Sequence, residues 1–364
     1  MSGIKALVID DTIVYRKIVG DVLKEIPGVE VVGTANNGKI ALSKIASLSP
    51  DIITLDIEMP EMNGIQVLEE LQKQSDPPTV VMLSTLTHEG SEMTIKALEL
   101  GAFDFVPKPD EGKMADNMQK VRDAINPIIR TVKRQKQTRL KIKNRAVTPT
   151  VKSQVPKTSP VKTSPAISVP RKAPSEIIGL GISTGGPNAL TQMIPMLPAS
   201  FSVPILIVQH MPPMFTASLA NSLNNKSALS VKEAENGDTI TGGTVYIAPG
   251  GKQMKIMAGG DGISRKIKIT DDPPENSCKP SVDYLFRSIA QHYVGRATGV
   301  IMTGMGSDGT KGLVQMKQSG SIVIAQNEET CTVFGMPKEP IESGLADVIA
   351  PLENIAGEII KTVA

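Results

Sequence analysis

The sequence predicts an α/β protein of two domains, each a mostly parallel sheet with helices on both faces. The chain has 364 residues, which is more than one ordinary hydrophobic core organises. Short apolar runs of strand length alternate with amphipathic stretches of helical period, and one segment rich in Pro, Ser, Thr and Lys interrupts the alternation. Alternating strands and helices are typical of parallel sheets covered on both faces, and the interruption is typical of a linker.

Residues 1–125 contain five repeats of strand followed by helix, and we assign them to the first domain. The predicted strands are short and apolar, and they lie at residues 5–9, 29–33, 51–55, 80–83 and 103–106. Amphipathic stretches, such as residues 65–74 and 93–100, lie between them. Five such repeats indicate a parallel sheet covered on both faces.

Residues 126–175 are assigned to a linker. We expect Pro127 to break the last helix of the first domain, with a basic helical extension over residues 128–143 as the alternative. The residues beyond are rich in Pro, Ser, Thr and Lys and have little to bury, which is typical of a semi-extended, solvated linker. Binding of this basic segment to a membrane surface or to nucleic acid is the less common meaning of such a composition.

The strand and helix pattern returns at Ile177, and we assign residues 176–364 to the second domain. Its predicted strands lie at residues 177–182, 204–209, 244–248, 253–257, 266–269, 298–303 and 321–325. Its predicted helices cover residues 187–196, 214–223, 281–293, 309–318 and 355–363. The pattern near residues 244–270 predicts a β-hairpin insert in this otherwise α/β domain.

Charge and composition exclude several classes of protein. The net charge is +2, but residues 133–175 hold twelve Lys or Arg and no acidic residue, which leaves −10 for the rest of the chain. Acidic folded domains argue against nucleic acid as their partner. The first residues resemble a strand rather than a signal peptide, no apolar run approaches about 20 residues, and the two cysteines lack metal-ligand spacing. We expect a cytoplasmic protein with reduced thiols and no membrane insertion.

Five polar residues follow strands of the first predicted sheet. Asp10 and Asp11 close the first strand, Asp56 the third and Ser84 the fourth, while Lys108 follows the fifth. The carboxyl ends of parallel strands share one edge, where clustered carboxylates favour a hard cation such as Mg²⁺. A metal there allows Asp56 to attack a phosphoryl group, whose oxygens Ser84 and Lys108 can bind. Taken singly, each of these residues is more simply a helix cap, a turn residue or a surface lysine.

The motifs around these residues closely resemble the receiver domains of two-component response regulators. They are ALVIDD, LDIEMPEMNG around Asp56, LST at residues 83–85 and FVPKP at residues 105–109. The resemblance implies phosphoryl transfer to Asp56 from a phosphohistidine on a partner chemotaxis kinase, with Mg²⁺ held by the acidic residues. It also implies that Phe105 occupies the aromatic position that responds to phosphorylation.

A Gly-x-Ser-x-Gly pentapeptide places Ser183 between a predicted strand and a predicted helix. A tight turn of this kind exposes a nucleophile, and the N–H groups at the start of the helix can bind an oxyanion. Gly and Ser are common residues, however, so a plain serine cap in a glycine-rich turn is the alternative.

A catalytic serine needs a base, and the chain has three histidines. His210 follows the strand predicted at residues 204–209 and therefore emerges at the same sheet edge as Ser183. His88 lies in a loop of the first domain. His292 lies on an amphipathic helix, where a solvated histidine is ordinary. We therefore predict that His210 is the base.

The base in turn needs an orienting carboxylate, and Asp308 is the best placed. It lies between a predicted strand and a predicted helix, so it reaches the edge where Ser183 and His210 emerge. The competitors are Asp271 and Asp272 in a Pro-rich turn and Asp283 on a helix. The resulting chain order Ser, His, Asp differs from the Ser, Asp/Glu, His order of ordinary α/β-hydrolases.

The second domain closely resembles the catalytic domain of the chemotaxis receptor methylesterases. The motifs that carry the resemblance are GISTGGP, VQHMP, IAPGG, MTGMGSDG and FGMP, and they span roughly residues 177–340. The resemblance implies hydrolysis of γ-glutamyl methyl esters on methyl-accepting chemoreceptors, without a cofactor for the ester chemistry. It also implies deamidation of receptor glutamines, which many members perform.

Carried over from that family, the roles fall on three residues of this chain. Ser183 is the nucleophile, His210 is general base and then acid, and Asp308 orients the imidazole. Thr184 and Met305, beside the nucleophile and shortly before Asp308, are site-shaping positions. The long basic linker departs from the family pattern and puts the usual interdomain geometry in doubt.

A receiver joined to an esterase suggests steric inhibition as a hypothesis. The unphosphorylated receiver would lie over the Ser183 edge, and phosphorylation of Asp56 would weaken that contact. Three other functions were considered. A transcription factor needs a basic recognition helix, which the second half lacks. A catalytically dead adaptor and a hydrolase acting on another methylated or amidated protein remain open at this point.

Overall fold

The computed structural model describes residues 3–109, 113–145 and 173–363. Within these residues the chain forms two α/β domains with parallel sheets, so the predicted fold class is confirmed. Residues 146–172 of the predicted linker lie outside the described residues, and both their solvated character and the boundaries at 125 and 175 stay predictions.

The first sheet, as far as the structure describes it, has five parallel strands in the spatial order β2-β1-β3-β4-β5. The strands are β1 (Ile4–Ile9), β2 (Val29–Ala35), β3 (Ile52–Asp56), β4 (Thr79–Ser84) and β5 (Asp104–Pro107). The helices that cover it are α1 (Ile13–Glu25), α2 (Gly38–Leu48), α3 (Gly64–Leu71), α4 (His88–Glu99) and α5 (Met114–Arg145). This order brings the carboxyl ends of β1, β3, β4 and β5 to one edge.

Helix α5 continues through Pro127, contrary to the break expected there. Proline in a helix interior removes one hydrogen bond and costs about 3 kcal/mol. The helix survives because its apolar face is buried on both sides of the proline, and each buried side chain contributes roughly 1.5–3 kcal/mol. The buried residues of this face are Val121, Ile125, Ile128, Ile129 and Val132.

The second sheet has seven parallel strands within the described residues, in the order β14-β13-β12-β6-β7-β9-β8. In chain order the strands are β6 (Ile177–Ile182), β7 (Ile205–Gln209), β8 (Ser230–Glu233), β9 (Thr244–Ile247), β12 (Ala297–Ile301), β13 (Ile322–Gln326) and β14 (Val348–Ala350). β6, β7 and β12 are neighbours at the centre, and the predicted Ser, His and Asp follow these three strands.

The predicted β-hairpin insert is present but shorter than expected. It consists of β10 (Gln253–Ala258) and β11 (Arg265–Thr270), paired antiparallel, whereas β9 belongs to the main sheet. The helices of this domain are α6 (Gly186–Met193), α7 (Phe215–Asn224), α8 (Val282–His292), α9 (Thr310–Gln318), α10 (Lys338–Glu342) and α11 (Leu352–Val363). β8, β14 and α10 were not predicted, because each has only three to five residues and shows little periodicity.

The two domains pack together through α4 of the first and α6 and α7 of the second. The rings of Phe105 and Phe215 stack with centroids 4.5 Å apart, and the hydroxyls of Ser91 and Ser218 share a 2.7 Å hydrogen bond. Apolar residues of both domains join in one buried cluster. None of the described helices is both long and apolar enough to cross a membrane.

Candidate active site

Ser183 follows the last residue of β6, in a tight turn that leads into α6. Its backbone N–H donates to the carbonyl of Thr303 (2.9 Å), and its own carbonyl accepts from Gly186 N–H (2.7 Å). Gly185 has a φ of 79°, a conformation that side-chain-bearing residues rarely adopt, and a Cβ there would collide with Thr332. The glycines therefore allow the sharp turn that holds Ser183 at the end of the strand.

Gln209, the last residue of β7, supports this turn from the neighbouring strand. Its side-chain amide is 2 % exposed and donates to the Ser183 carbonyl (3.0 Å). A Cβ on Gly186 would overlap the Gln209 amide oxygen, so only glycine fits between them. Sequence analysis did not single out Gln209, since a buried glutamine at a strand end carries no motif of its own.

His210 follows β7 and lies at the same sheet edge as Ser183. Its backbone N–H donates to the carbonyl of Ile182 (3.2 Å). This hydrogen bond aligns the end of β7 with the end of β6. Its Nε2 lies 2.8 Å from Oδ2 of Asp308. Because Nε2 is engaged by the carboxylate, Nδ1 is the nitrogen that faces away from it, 3.7 Å from Sγ of Cys278.

Asp308 lies in a dense network of donors. Besides His210, it accepts hydrogen bonds from Asn276 Nδ2 (2.9 Å), Ser281 Oγ (2.9 Å) and Val282 N–H (2.7 Å). Burial alone would raise the pKa of Asp308, but these bonds, that of His210 foremost, hold it at about 2. Burial alone would lower the pKa of His210, but the Asp308 hydrogen bond and a nearby thiol raise it to about 9. An ionised Asp308 thus stabilises the imidazolium form of the base.

Ser183 and His210 line one small cavity of about 40 Å³, and the first domain closes its far side with Asp104 and Phe105. Among the described residues no hydrogen bond joins the Ser183 hydroxyl to His210. Such bonds often form only when substrate is bound. The structure therefore brings the predicted serine, histidine and aspartate together at one sheet edge and places the first domain over them.

The competing residues lie elsewhere. His88 begins α4 and His292 ends α8, and within the described part of the chain neither pairs with a carboxylate. Asp271 and Asp272 are exposed and pair with lysines around the hairpin. Asp283 lies on α8, where it accepts from a backbone N–H at the start of α9 (2.7 Å) and not from a histidine.

The acidic residues of the first domain also meet at one sheet edge. Ligand oxygens of Asp10, Asp11 and Asp56 lie within 4.8 Å of one another. Lys108 Nζ lies 2.8 Å from Asp10 Oδ2 and 2.7 Å from Asp56 Oδ2. Burial raises the pKa of Asp56 to about 6, and Asp10 and Asp11 add to the rise while Lys108 opposes it. One ammonium therefore pairs with two of the three neighbouring carboxyl groups.

The carboxylate oxygens at this edge of the first sheet are suitable ligands for a magnesium ion. Oxygen ligands from clustered carboxylates are those that Mg²⁺ prefers. Asp10 Oδ2 is buried, and the Lys108 ammonium 2.8 Å away uses only one of its lone pairs, which leaves another for a metal ion. An open acidic cleft of about 580 Å³, lined by Asp11, Glu58 and Glu89 among others, gives access to the edge.

Ser84 and Phe105 connect this edge to the domain interface. The Ser84 hydroxyl is buried and accepts from Thr94 Oγ1 (2.6 Å) on α4, and it lies 3.3 Å from the carbonyl of Gly90. In this structure it therefore contacts α4. Phe105 on β5 stacks on Phe215 of the second domain.

Asp104, which sequence analysis missed, contacts the residue beside the nucleophile. Its Oδ2 accepts a hydrogen bond from Thr184 Oγ1 (2.8 Å) across the interface. Burial raises the pKa of Asp104 to about 6, against the hydrogen bonds from Phe105 N–H and Thr184. Met305 also faces the first domain, where it packs against the apolar cluster that includes α5. No local pattern marks Asp104, because its partner lies 80 residues away.

Comparisons with known proteins agree with this architecture. Residues 6–137 match the family model of the response regulator receiver domain, and residues 178–359 match that of the CheB methylesterase. A "Protein-glutamate methylesterase/protein-glutamine glutaminase" of Desulfotalea psychrophila is 56% identical, covering 100% of this chain and 99% of that protein. A relative of the same name from Geobacillus kaustophilus is 43% identical, again over 100% of this chain and 99% of its own length.

A solved structure matches the second domain. The crystal structure of the Thermotoga maritima CheB methylesterase catalytic domain superposes with a TM-score of 0.50 and 44% identity, covering 51% of this chain and 98% of that one. Full-length relatives and both family models thus agree on a receiver followed by a methylesterase domain. The chain belongs to the receiver-linked CheB methylesterase family, the family of the protein-glutamate methylesterases/protein-glutamine glutaminases.

Proposed function

We propose that this protein hydrolyses γ-glutamyl methyl esters on methyl-accepting chemoreceptors, releasing methanol and leaving glutamate, and that it deamidates receptor glutamines. The observation that carries the proposal is the Asp308–His210 hydrogen bond in the same cavity as Ser183, in a chain of this family. Both reactions transfer a γ-acyl group to water and differ only in the leaving group. One Ser-His-Asp triad can therefore serve both.

We assign one role to each group of the triad. Ser183 Oγ attacks the γ-carbonyl while His210 Nδ1 accepts its proton, and Asp308 holds Nε2 and stabilises the imidazolium. Backbone N–H groups at the start of α6 stabilise the oxyanion. His210 then protonates the departing methoxide oxygen or amide nitrogen, which leaves as methanol or ammonia, and water repeats the sequence on the acyl-enzyme. Thr184 and Met305 shape the edge of the site.

The receiver controls access to this site. Asp56 accepts a phosphoryl group from a chemotaxis histidine kinase, with Asp10, Asp11 and Asp56 as the residues that hold Mg²⁺ and Lys108 as the fixed cation. When bound, Mg²⁺ screens the charge between carboxylate and phosphoryl donor. Ser84 leaves its contacts with α4 to bind the phosphoryl group. Since α4 packs on α6 and α7, that change weakens the docked arrangement and opens the cavity.

A cytoplasmic location follows from these partners, since the kinase and the methylated receptor helices are both cytoplasmic. Neither proposed activity involves nucleic acid or membrane insertion. The substrate side chain must enter the cavity that Asp104 and Phe105 close, so domain separation precedes catalysis.

The test is methanol release from methyl-labelled chemoreceptor, measured with and without a small-molecule phosphodonor. Wild type should release methanol, and the phosphodonor should accelerate it. Ser183→Ala should release none above background, and Asp56→Asn should keep the basal rate without acceleration. Asp21→Asn, which changes an exposed acid on α1, is the matched control for the receiver and should respond like wild type.

Two outcomes would contradict the proposal in different ways. If wild type releases no methanol under either condition, the esterase function is wrong. If Ser183→Ala releases methanol at the wild-type rate, the nucleophile is another residue. Ammonia release from a receptor with glutamine at the same positions tests the deamidase separately.

A further inference from the structure

Cys278 lies beside the base of the triad and has no role in the proposed hydrolysis. Its Sγ is 3.7 Å from His210 Nδ1, the nitrogen that faces away from Asp308. Ligand atoms of Cys278, His210 and Asp308 all lie within 4.8 Å of one another. Cys, His and Asp are the side chains that bind zinc in proteins. We infer that Cys278 and His210 together form an inhibitory Zn²⁺ site within the active site, an inference that rests on the proposed esterase function.

The spacing of the two ligands suits a tetrahedral zinc ion. With Zn–N near 2.05 Å and Zn–S near 2.3 Å, a tetrahedral angle separates nitrogen and sulfur by about 3.6 Å. The separation in this structure is 3.7 Å. Zinc can therefore bridge the two atoms with little movement of either side chain, and water can fill the remaining positions.

Asp308 acts on this site through His210. A metal-ligating histidine commonly donates its other N–H to a carboxylate, which fixes the ring and increases the basicity of the ligating nitrogen. His210 Nε2 has this partner in Asp308 Oδ2 at 2.8 Å. The other carboxylate oxygen already accepts from Asn276 and Ser281. The hydrogen bond to Asp308 therefore orients the ring and makes Nδ1 more basic, which favours both proton acceptance and zinc binding by Nδ1.

The turn that carries Cys278 is anchored to the triad. Asn276 Nδ2 donates to both Asp308 Oδ1 (2.9 Å) and Asp283 Oδ2 (2.8 Å). Cys278 N–H donates to the carbonyl of Glu275 (2.7 Å), which closes the turn. The thiol is therefore held next to the imidazole by the same contacts that hold the carboxylate. It is also partly exposed, so a cation has access to it from solvent.

Zinc bound here would stop the reaction by occupying the Nδ1 lone pair. That lone pair must accept the Ser183 proton, and it cannot do so while it coordinates a metal. Zinc binding displaces the thiol proton and any proton on Nδ1, since thiolate and the unprotonated imidazole nitrogen are the ligand forms of cysteine and histidine. Hard cations such as Mg²⁺ bind thiolate and imidazole poorly, so the effect should be specific to zinc and similar soft ions.

The first measurement is inhibition of methanol release from methyl-labelled chemoreceptor by Zn²⁺, using the full-length protein with phosphodonor. Each variant is compared with its own rate in chelator. Wild type should be inhibited and should recover when chelator is added. Cys278→Ser should need about 10-fold more zinc or greater, because even outer-shell partners of a zinc ligand contribute 10–100-fold to affinity. Cys331→Ser changes the other cysteine and should keep the wild-type sensitivity.

The second measurement reports the ligand directly and does not depend on esterase activity. Co²⁺ replaces zinc in such sites and gives a thiolate-to-metal charge-transfer band in the near ultraviolet. Wild type and Cys331→Ser should show the band, and Cys278→Ser should lack it. Equal zinc inhibition of wild type and Cys278→Ser, or no thiolate band in wild type, would overturn the inference. A thiolate band in a protein that releases no methanol would leave the metal site standing and reject the proposed function instead.

Discussion

The two sheet edges of this protein have similar backbones but opposite electrostatics: the pKa of a buried aspartate is raised at one and lowered at the other. At the receiver edge, Lys108 pairs with Asp10 and Asp56 beside the third carboxylate, Asp11, and the pKa of Asp56 is raised to about 6. At the esterase edge, Asp308 alone accepts from several donors, and its pKa is held at about 2. The first edge is short of positive charge, which favours the binding of a cation there. The second is fully compensated and therefore holds a fixed geometry.

The difference shows how one fold class supports a switch and a catalyst. A switch needs two arrangements of similar free energy. A carboxylate cluster with too little positive charge changes its interaction energy strongly when a charge is added to it, and this can shift the balance between the two arrangements. A catalyst needs groups held in place before substrate arrives, and dense hydrogen bonding does this. The domain interface lies between the two edges and contains Asp104, Phe105 and Glu99.

The largest effect should come from Asp308→Asn. The change keeps the shape of the side chain but removes the charge that stabilises the His210 imidazolium, and it favours the wrong tautomer. By analogy with other serine triads we expect methanol release to fall by about 10⁴-fold. Asp283→Asn is the matched control, because Asp283 is a buried carboxylate of the same network that does not contact His210.

Asp283→Asn should keep most of the activity even if it lowers thermal stability. Unfolding curves of both variants would separate loss of folding from loss of chemistry. If Asp283→Asn were the inactive variant and Asp308→Asn the active one, the assignment of the orienting carboxylate would be reversed.

The second prediction concerns pH and the Asp104–Thr184 contact. The pKa of Asp104 is about 6 in the docked arrangement against an ordinary 3.8, so the docked state binds more protons than the separated state between those values. Docking should therefore strengthen as pH falls through about 6, by about 10-fold between pH 7 and pH 5. Energy transfer between dyes on the two domains measures docking independently of the His210 titration. Asp104→Asn should be docked to the same extent at both pH values, and an unchanged wild-type signal would reject Asp104 as the titrating group.

The fold and the convergence of Ser183, His210 and Asp308 could be predicted because the signals for both are local. Ser183, His210 and Asp308 each follow an apolar strand, and parallel strands end at a common edge, so sequence position alone predicted their convergence. The helix through Pro127 could not be predicted, since the local cost of proline is visible in the sequence but the burial of Ile128 and Ile129 against the sheet is not.

Contacts between residues far apart in the chain could likewise not be predicted from the sequence. Asp104 and Thr184 are 80 residues apart, and Cys278 and His210 are 68 residues apart. Neither pair has a spacing that marks a site, because the spacing is set by the whole fold. Cysteine spacing in the sequence argued against a metal framework, yet the fold brings one of the two cysteines to the catalytic imidazole.

The third prediction tests the aromatic contact at the interface. Phe105→Leu keeps an apolar side chain but removes the stacking on Phe215. Stacking of this kind contributes about 0.5–1.5 kcal/mol. Without phosphodonor, methanol release should rise by about 2–10-fold, because the separated state becomes more populated. Phe103→Leu is the control, since Phe103 packs within the first domain and away from Phe215. Equal rates for the two variants would mean that the stack does not hold the domains together.

The smallest effect should come from Glu99 at the end of α4. Its carboxylate pairs with Lys226 (2.7 Å) and accepts from Ser222 Oγ (2.5 Å), both on the second domain. The pair is partly exposed, and such pairs contribute about 0.2–1 kcal/mol, so Glu99→Gln should raise the unphosphorylated rate by at most about 5-fold. Salt screens the pair, so added salt should raise the wild-type rate more than that of the variant. Glu92→Gln, at an exposed position of the same helix, should leave both the rate and its salt dependence as in wild type. If Glu99→Gln retained the full salt dependence, other charges would account for it and the docked state would depend on its apolar contacts alone.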